Sequence, residues 1–262
     1  MAGLKRAHTL GISAMEMEWV QSVPMNIPHM EEVGKLAREL DIALTVHAPY
    51  YVNLNSPDAA KLLASKKRVL QALTMAQIAG VRSVCVHAAF YLGMDPPTAF
   101  ENVRGAIDDI LQRRQKFFPS VNLALETMGK PTQFGTLEEV LKISQEFDLY
   151  PCLDPAHLHA RTNGAVNTSE EWEEMFDLYE EYLGKRALKS MHMHFSGIAY
   201  GLKGEKHHLP LQKSDAKWKE FLTVLQRREI EGVLVCESPI LEEDTILMQR
   251  TYDRSPLPFP IL

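Results

Sequence analysis

The chain has 262 residues, of which 45% are hydrophobic and 24% charged, a balance typical of globular proteins. This length suits one α/β barrel of about 250 residues better than a single β-sandwich. With a net charge of −6 and no polybasic block, the chain is not expected to hold nucleic acid by surface charge alone. The sequence shows no apolar run long enough for a membrane span and no signal-peptide pattern, so neither is expected.

The three cysteines, Cys85, Cys152 and Cys236, each lie inside an apolar run. This placement is typical of buried free thiols in a reducing compartment and not of a disulfide framework. We therefore expect a cytoplasmic protein. No feature of the sequence indicates an obligate protein partner or a membrane as partner.

Seven short β-rich runs alternate with longer amphipathic segments along the chain. Alternation at this spacing predicts a parallel sheet, and seven strand–helix units in one chain favour a barrel over an open sheet. One helix is expected from Ser56, as N-cap before Pro57, to Gly80, and another from the capping-box pair Thr136 and Glu139. The β-rich runs are residues 14–20, 43–49, 83–89, 122–128, 150–156, 190–196 and 232–238.

We interpret residues 1–262 as a single domain, an α/β fold of the TIM (β/α)8-barrel type. Residues 1–11 resemble the second half of a first helix, and the proline-broken residues 253–262 a C-terminal tail. Because seven runs are one short of eight, we expect that the first β-strand and part of the first helix are missing. The alternative is a barrel that closes imperfectly between its first and last strands, although a closed barrel should have no free edges.

Ionisable residues are concentrated at the carboxyl ends of the predicted strands, which in parallel barrels meet at one mouth. One histidine at a strand end is more often structural, but the same pattern at most of the strands is not expected by accident. Carboxylates packed together would also raise one another's pKa unless cations neutralised them, and histidines with carboxylates are standard zinc ligands. The residues in question are His47, His87, Glu126, Asp154, His157, His192, His194 and Glu237.

The loop "GEKHHLP" (204–210) adds further candidate ligands. Glu205 and His207 are two residues apart, so in an extended loop their side chains are expected on the same side. His208 is then expected to point elsewhere. The sequence therefore predicts that Glu205 and His207 form part of a metal site.

In order and spacing, the motifs "TVHAPYYVNLNS", "VCVHAA", "ALETMG", "CLDPAH", "MHMHF", "GEKHH" and "CESP" resemble those of the endonuclease IV family. Members of that family are zinc-dependent apurinic/apyrimidinic endonucleases with a TIM-barrel fold. The resemblance extends from about Gly11 to about Glu243 and is closest to the archaeal-type branch. It implies a partner, double-stranded DNA with an abasic site, whose phosphodiester is hydrolysed 5′ to the lesion.

Carried over position by position, the resemblance implies three zinc ions. The implied ligands are His47 and His87 for the first ion, with Glu126 bridging to the second; Asp154, His192 and Glu237 for the second; and His157, Glu205 and His207 for the third. Glu126 or Glu237 would also serve catalysis by orienting the nucleophile. Tyr50 and Tyr51 match the position that wedges into DNA at the lesion.

Several departures from the family pattern keep other functions open. Glu205 stands where aspartate is usual, His194 stands where asparagine is common and is a competing ligand, and no basic wedge-loop residue matches within residues 21–29. One alternative is a sugar isomerase or epimerase on the same barrel, because fold alone does not fix function. Another is a metal-binding protein that has lost its DNA contacts.

Overall fold

The protein forms a barrel of parallel strands surrounded by helices, as the sequence predicts. The structure is a computed structural model, and it describes residues 1–117 and 120–254. The tail predicted for residues 253–262 lies outside the described residues from 255 onward. Its first two residues, Asp253 and Arg254, belong to the last helix instead.

Each of the seven predicted runs contains one barrel strand, and each strand is shorter than its run. The barrel strands are β1 (Ala14–Glu18), β2 (Ala43–His47), β3 (Ser83–Val86), β5 (Asn122–Leu125), β7 (Cys152–Leu153), β8 (Met191–Phe195) and β11 (Gly232–Cys236). Two antiparallel pairs lie in loops: β4 (Ala89–Phe90) with β6 (Gln133–Phe134), and β9 (Gly197–Gly201) with β10 (Gly204–Leu209).

The barrel strands form two parallel ladders, β1-β2-β3-β5 and β7-β8-β11. A single parallel bridge between Glu126 and Cys152 joins the first ladder to the second. On the opposite side β1 lies beside β11, but within residues 1–117 and 120–254 no ladder joins them. At this seam the two strands are therefore neighbours by packing and not by a hydrogen-bonded ladder.

Nine helices are found in the described part of the chain. They are α1 (Ala2–Thr9), α2 (Ile27–Glu39), α3 (Ala59–Ala79), α4 (Pro96–Phe117), α5 (Leu137–Phe147), α6 (Pro155–Arg161), α7 (Ser169–Leu183), α8 (Trp218–Arg227) and α9 (Glu242–Arg254). Among these residues, no helix is both long and apolar enough to cross a membrane.

The two helix starts predicted from the sequence differ in outcome. The capping box of Thr136 and Glu139 is confirmed at the start of α5. The prediction that Ser56 caps α3 is wrong, because Asp58 accepts the backbone N–H groups of Ala60 and Lys61. A carboxylate two residues further on offers a charged acceptor to two N–H groups, which favours it over a hydroxyl.

The apolar core lies between the helices and the outside of the barrel, in two main clusters. The inside of the barrel is different, because inward positions of several strands carry histidines and carboxylates. A small apolar group of Cys85, Ala124 and Cys152 lies among them. This arrangement places buried ionisable groups along the barrel axis, where they need either protons or cations as partners.

Candidate metal centre

The ends of β2, β3 and β5 bring two histidines and a carboxylate together. His47 Nε2 lies 3.2 Å from His87 Nε2 and 3.4 Å from Glu126 Oε2, and His87 Nε2 lies 2.9 Å from the same oxygen. His47 Nδ1 lies 2.8 Å from the Ala48 carbonyl. A donated Nδ1–H at this carbonyl leaves Nε2 as the lone-pair atom that faces the cluster. We call His47, His87 and Glu126 the first cluster.

A second cluster uses the other oxygen of Glu126. Glu126, Asp154, His194 and Glu237 place ligand atoms within 4.8 Å of one another. His194 Nδ1 lies 3.3 Å from Glu126 Oε1 and 3.4 Å from Glu237 Oε1. Glu126 therefore lies between the two clusters with one oxygen directed at each, which is the arrangement of a bridging carboxylate.

The structure brings His194, and not His192, into the second cluster. Both side chains face into the barrel because they are two residues apart in β8, and every second side chain of a strand points to the same side. His194 is nearer the carboxyl end of the strand and hence nearer the mouth. His192 lies one inward position deeper, with Nδ1 3.1 Å from Ser83 Oγ. Strand parity is the same for both histidines, so parity alone could not separate them; depth along the strand does.

A third cluster forms around His157. His157 Nε2 lies 3.7 Å from Glu205 Oε2, and the rings of His157 and His208 are 5.7 Å apart. His157, His208 and Glu237 also place ligand atoms within 4.8 Å of one another. His157 Nδ1 lies 3.0 Å from the Thr127 carbonyl, so its Nε2 is the free nitrogen that faces Glu205.

The prediction that Glu205 and His207 share a face is wrong, because β10 contains a bulge between them. Glu205 pairs with Tyr200 and His208 pairs with Ile198, so Glu205 and His208 lie on the same face of the hairpin. His207 is exposed. One extra residue in a strand turns every later side chain to the opposite face of the sheet. The spacing of residues in the sequence does not reveal such a bulge.

The segment "DPAH" has a local reason to present both of its ionisable side chains. Asp154 caps α6 by accepting the backbone N–H of His157 at 2.9 Å, and Pro155 occupies the first helical position. The cap uses only one carboxylate oxygen. Asp154 Oδ2 is buried and, among the described residues, has no hydrogen-bond partner.

Of the two predicted tyrosines, Tyr50 borders the centre directly. Its ring stacks on His87 with centroids 5.2 Å apart and meets His47 edge-on at 4.9 Å. Tyr50 is 48% exposed and Tyr51 is 65% exposed. Tyr50 can therefore contact both the first cluster and a molecule at the mouth, whereas Tyr51 points further into solvent.

Glu16 and Glu18 of β1 were not predicted as site residues. Glu16 Oε2 lies 3.0 Å from His192 Nε2, and Glu16 Oε1 lies 2.8 Å from His194 Nε2. Glu18 pairs with His47 in the strand register and is exposed at the end of β1. The signal was present in "AMEME", where two acids alternate with methionines at the inward parity of a strand.

Without cations, the buried charges perturb one another strongly. Burial by itself would raise the pKa of Glu126, but His87 and His194 outweigh it and hold that pKa well below its ordinary range. Burial would lower the pKa of His47, yet the hydrogen bond and charge of Glu126 raise it to about 9. Burial lowers the pKa of His87, so the two histidines beside Glu126 are shifted in opposite directions.

The donor set fits zinc. The three clusters supply only imidazole nitrogens and carboxylate oxygens, the donors found in catalytic zinc sites with open positions. Asp154 Oδ2, a buried oxygen of the second cluster, also lacks a hydrogen-bond partner within the described ranges. Unpartnered buried polar atoms are costly, and a bound cation would satisfy them.

Fold and site together define a TIM barrel with a histidine–carboxylate centre at the carboxyl ends of its strands. Residues 4–250 match the family described as xylose isomerase-like TIM barrel, and the chain belongs to this family. The uncharacterized protein MJ0133 of Methanocaldococcus jannaschii is 35% identical over 246 residues, covering 93% of this chain and 88% of that protein. A probable endonuclease 4 of Chlorobium phaeovibrioides is 27% identical over 218 residues, covering 80% and 75%.

Two solved structures show the same fold. Endonuclease IV of Thermus thermophilus superposes with a TM-score of 0.74 at 19% identity, covering 96% of this chain and 92% of that one. A D-tagatose 3-epimerase-like protein superposes with a TM-score of 0.72 at 16% identity, covering 92% and 87%. The resemblance to endonuclease IV is therefore confirmed at the level of family and fold, and the same fold also carries sugar epimerases.

Proposed function

We propose that this protein is a zinc-dependent apurinic/apyrimidinic endonuclease that hydrolyses the phosphodiester 5′ to an abasic site in double-stranded DNA. The observation that carries the proposal is the position of Glu126. Its two oxygens face two separate histidine-containing clusters. This arrangement suits a carboxylate that holds two metal ions side by side. Paired metal ions are used by enzymes that displace a phosphoryl group in line.

The proposal assigns nine ligands to three ions. They are His47, His87 and Glu126 for the first cluster; Glu126, Asp154, His194 and Glu237 for the second; and His157, Glu205 and His208 for the third. This set replaces His192 and His207 of the sequence prediction with His194 and His208. When bound, zinc would supply Lewis-acid chemistry to phosphodiester hydrolysis and offset the negative charge of the phosphate.

The protein's own residues would position the substrate and the ligands. Glu126 and Glu237 both lie beside His194 Nδ1 at the mouth, where either carboxylate would help to orient the attacking nucleophile. Tyr50 is half exposed above His87 and can stack in the gap left by a missing base. Zinc would also give this acidic chain a positive patch at the point where DNA must approach.

The third cluster separates this proposal from a sugar isomerase or epimerase. The paired glutamates Glu126 and Glu237, with ligand atoms in one cluster, are compatible with either chemistry. His157, Glu205 and His208 form additional ligands at the mouth that a single-metal sugar site would not need. These residues would hold a third ion, whose added Lewis-acid chemistry suits a charged phosphodiester better than a neutral sugar.

The test uses the purified protein with zinc and a duplex that contains one abasic analogue. We expect a single nick 5′ to the analogue with a 3′-hydroxyl end, and no nick in the intact duplex. Glu126→Gln should keep the fold by circular dichroism and lower the nicking rate by about 100-fold or more, as loss of metal-site contacts does. Turnover of a ketohexose without nicking would overturn the proposal in favour of the epimerase, and full activity of Glu126→Gln would overturn the bridging role.

A further inference from the structure

We propose that Glu16, His192 and His194 form an additional zinc site inside the barrel, deeper than the three clusters at the mouth. We call these three residues the floor site. None of the sets implied by the resemblance includes Glu16, and the proposed endonuclease activity does not require it. The inference therefore goes beyond the proposed function and does not rest on it.

The ligand atoms of the floor site lie within 4.8 Å of one another, close enough to share one ion. Glu16 Oε2 is 3.0 Å from His192 Nε2, and Glu16 Oε1 is 2.8 Å from His194 Nε2. Despite these short distances, none of the four atoms has a hydrogen-bond partner in the part of the chain that the structure describes. Ligands on one tetrahedral zinc lie about 3.3 Å apart, given bonds of about 2.0–2.1 Å, and they point at the ion and not at one another.

The floor site is buried and its ligands are held in place. The side chains of Glu16, His192 and His194 are 2%, 4% and 0% exposed. His192 Nδ1 contacts Ser83 Oγ at 3.1 Å, and the same hydroxyl accepts a hydrogen bond from Asn122 Nδ2. This support fixes the ring so that Nε2 faces Glu16, as the outer partners of metal-binding histidines usually do.

Charge also favours a cation at this depth. A buried carboxylate between two neutral imidazoles carries an uncompensated charge, which is expensive in a dry interior. One divalent ion would compensate it and satisfy all four unpartnered atoms at once. The competing arrangement is metal-free, with a protonated imidazole as the compensating charge, and the experiment below separates the two.

A small cavity lies beside the floor site, towards the end of the barrel opposite the mouth. The cavity, of about 50 Å³, is lined by His192 together with Thr45, Ser83 and Asn122. The floor site is also linked to the mouth, because His194 directs Nε2 at Glu16 and Nδ1 at Glu126 and Glu237. To serve both sites at once, this ring would have to lose its N–H proton and bind as an imidazolate.

The test is zinc content combined with anomalous diffraction. The protein is loaded with Zn²⁺, dialysed and measured by elemental analysis, and crystals are measured at the zinc absorption edge. We expect an anomalous peak between Glu16, His192 and His194. Glu16→Gln should bind one zinc fewer per chain than the wild-type protein. Glu18→Gln, the same change on the same face of the same strand, should keep the wild-type zinc content.

Two results would overturn the floor site: wild-type crystals with zinc at the mouth and no peak at Glu16, or unchanged zinc content in Glu16→Gln. If Glu16→Gln does not fold, the wild-type anomalous map decides alone. The outcome is independent of the nicking assay. A floor peak without nicking retains this inference and rejects the endonuclease, and nicking without a floor peak does the reverse.

Discussion

Two neighbouring histidines, His207 and His208, have opposite expected roles although they occupy adjacent positions. His208 faces His157, and its Nδ1 lies 3.0 Å from the Glu237 carbonyl. His207 lies on the other face and is exposed. The difference follows from the bulge in β10 and not from the chemistry of the residues. This pair therefore offers a matched test of the third cluster.

We expect His208→Ala to lose one zinc per chain and to nick abasic DNA about 10- to 100-fold more slowly. His207→Ala removes the same chemical group from an exposed position, so its zinc content and rate should match the wild-type protein. Elemental analysis and the nicking assay measure both effects. Loss of zinc in His207→Ala with full retention in His208→Ala would contradict the assignment.

Tyr50 is the side chain best placed to contact DNA, because its half-exposed ring stacks on His87. Stacking of an aromatic ring on nucleic acid is worth about 1–3 kcal/mol. Tyr50→Ala should therefore raise the Kd for an abasic duplex by about 5- to 100-fold, measured by fluorescence anisotropy. Tyr51→Ala is the control and should change the Kd less. A larger effect of Tyr51→Ala than of Tyr50→Ala would show that Tyr51, and not Tyr50, makes the main contact with DNA.

At the level of elements, strand–helix alternation was sufficient to predict all seven barrel strands. Because parallel strands all end at one mouth, it also predicted that the ionisable side chains at those ends come together. Details that depend on depth or register were not accessible. His192 and His194 have the same parity, and the bulge at Lys206 exists only because two strands pair. Glu16 was missed because it lies in the middle of β1, and the prediction considered only residues at the carboxyl ends of the strands.

The loop that carries Glu205 depends on a close approach of two backbones. Gly204 has φ of +81°, and a Cβ atom there would lie 2.3 Å from the Gly129 carbonyl oxygen. Gly129 itself faces Glu205, since a Cβ atom there would meet Glu205 Cβ at 2.8 Å and Oε2 at 2.9 Å. Small residues at both positions let the β9–β10 hairpin bring Glu205 to His157.

Gly129→Ala should therefore displace Glu205 and weaken binding of the third zinc by about 10-fold or more, because ligand orientation controls affinity. Zinc titration calorimetry measures this effect. Gly105→Ala is the matched control, since a Cβ atom there meets nothing within 4 Å. That control lies inside α4 and should keep zinc affinity while stabilising the fold by about 0.5–1 kcal/mol. Equal zinc affinity in both variants would contradict the close approach.

For the whole molecule, the buried centre concentrates negative charge in a chain that is already acidic at −6. Glu16, Glu126 and Asp154 are almost fully buried, and Glu237 is 14% exposed. Histidines from strands, from a loop and from helix α6 surround them, so the centre ties together both ladders of the barrel. The β1–β11 seam has no ladder in the described ranges, yet Glu16 of β1 contacts His192 and His194 of β8 across the interior. Cations at the centre would thus stabilise the barrel where backbone pairing does not.

Removal of metal should consequently destabilise the entire fold and not only the active site. A ligand present at 100 times its Kd stabilises the folded state by about 2.7 kcal/mol per site. We expect a chelator to lower the unfolding temperature measured by calorimetry, and stoichiometric zinc to restore it. Mg²⁺ at the same concentration should not restore it, because imidazole-rich sites favour zinc over magnesium. An unfolding temperature that is insensitive to chelation would show that protons, and not cations, compensate the buried carboxylates.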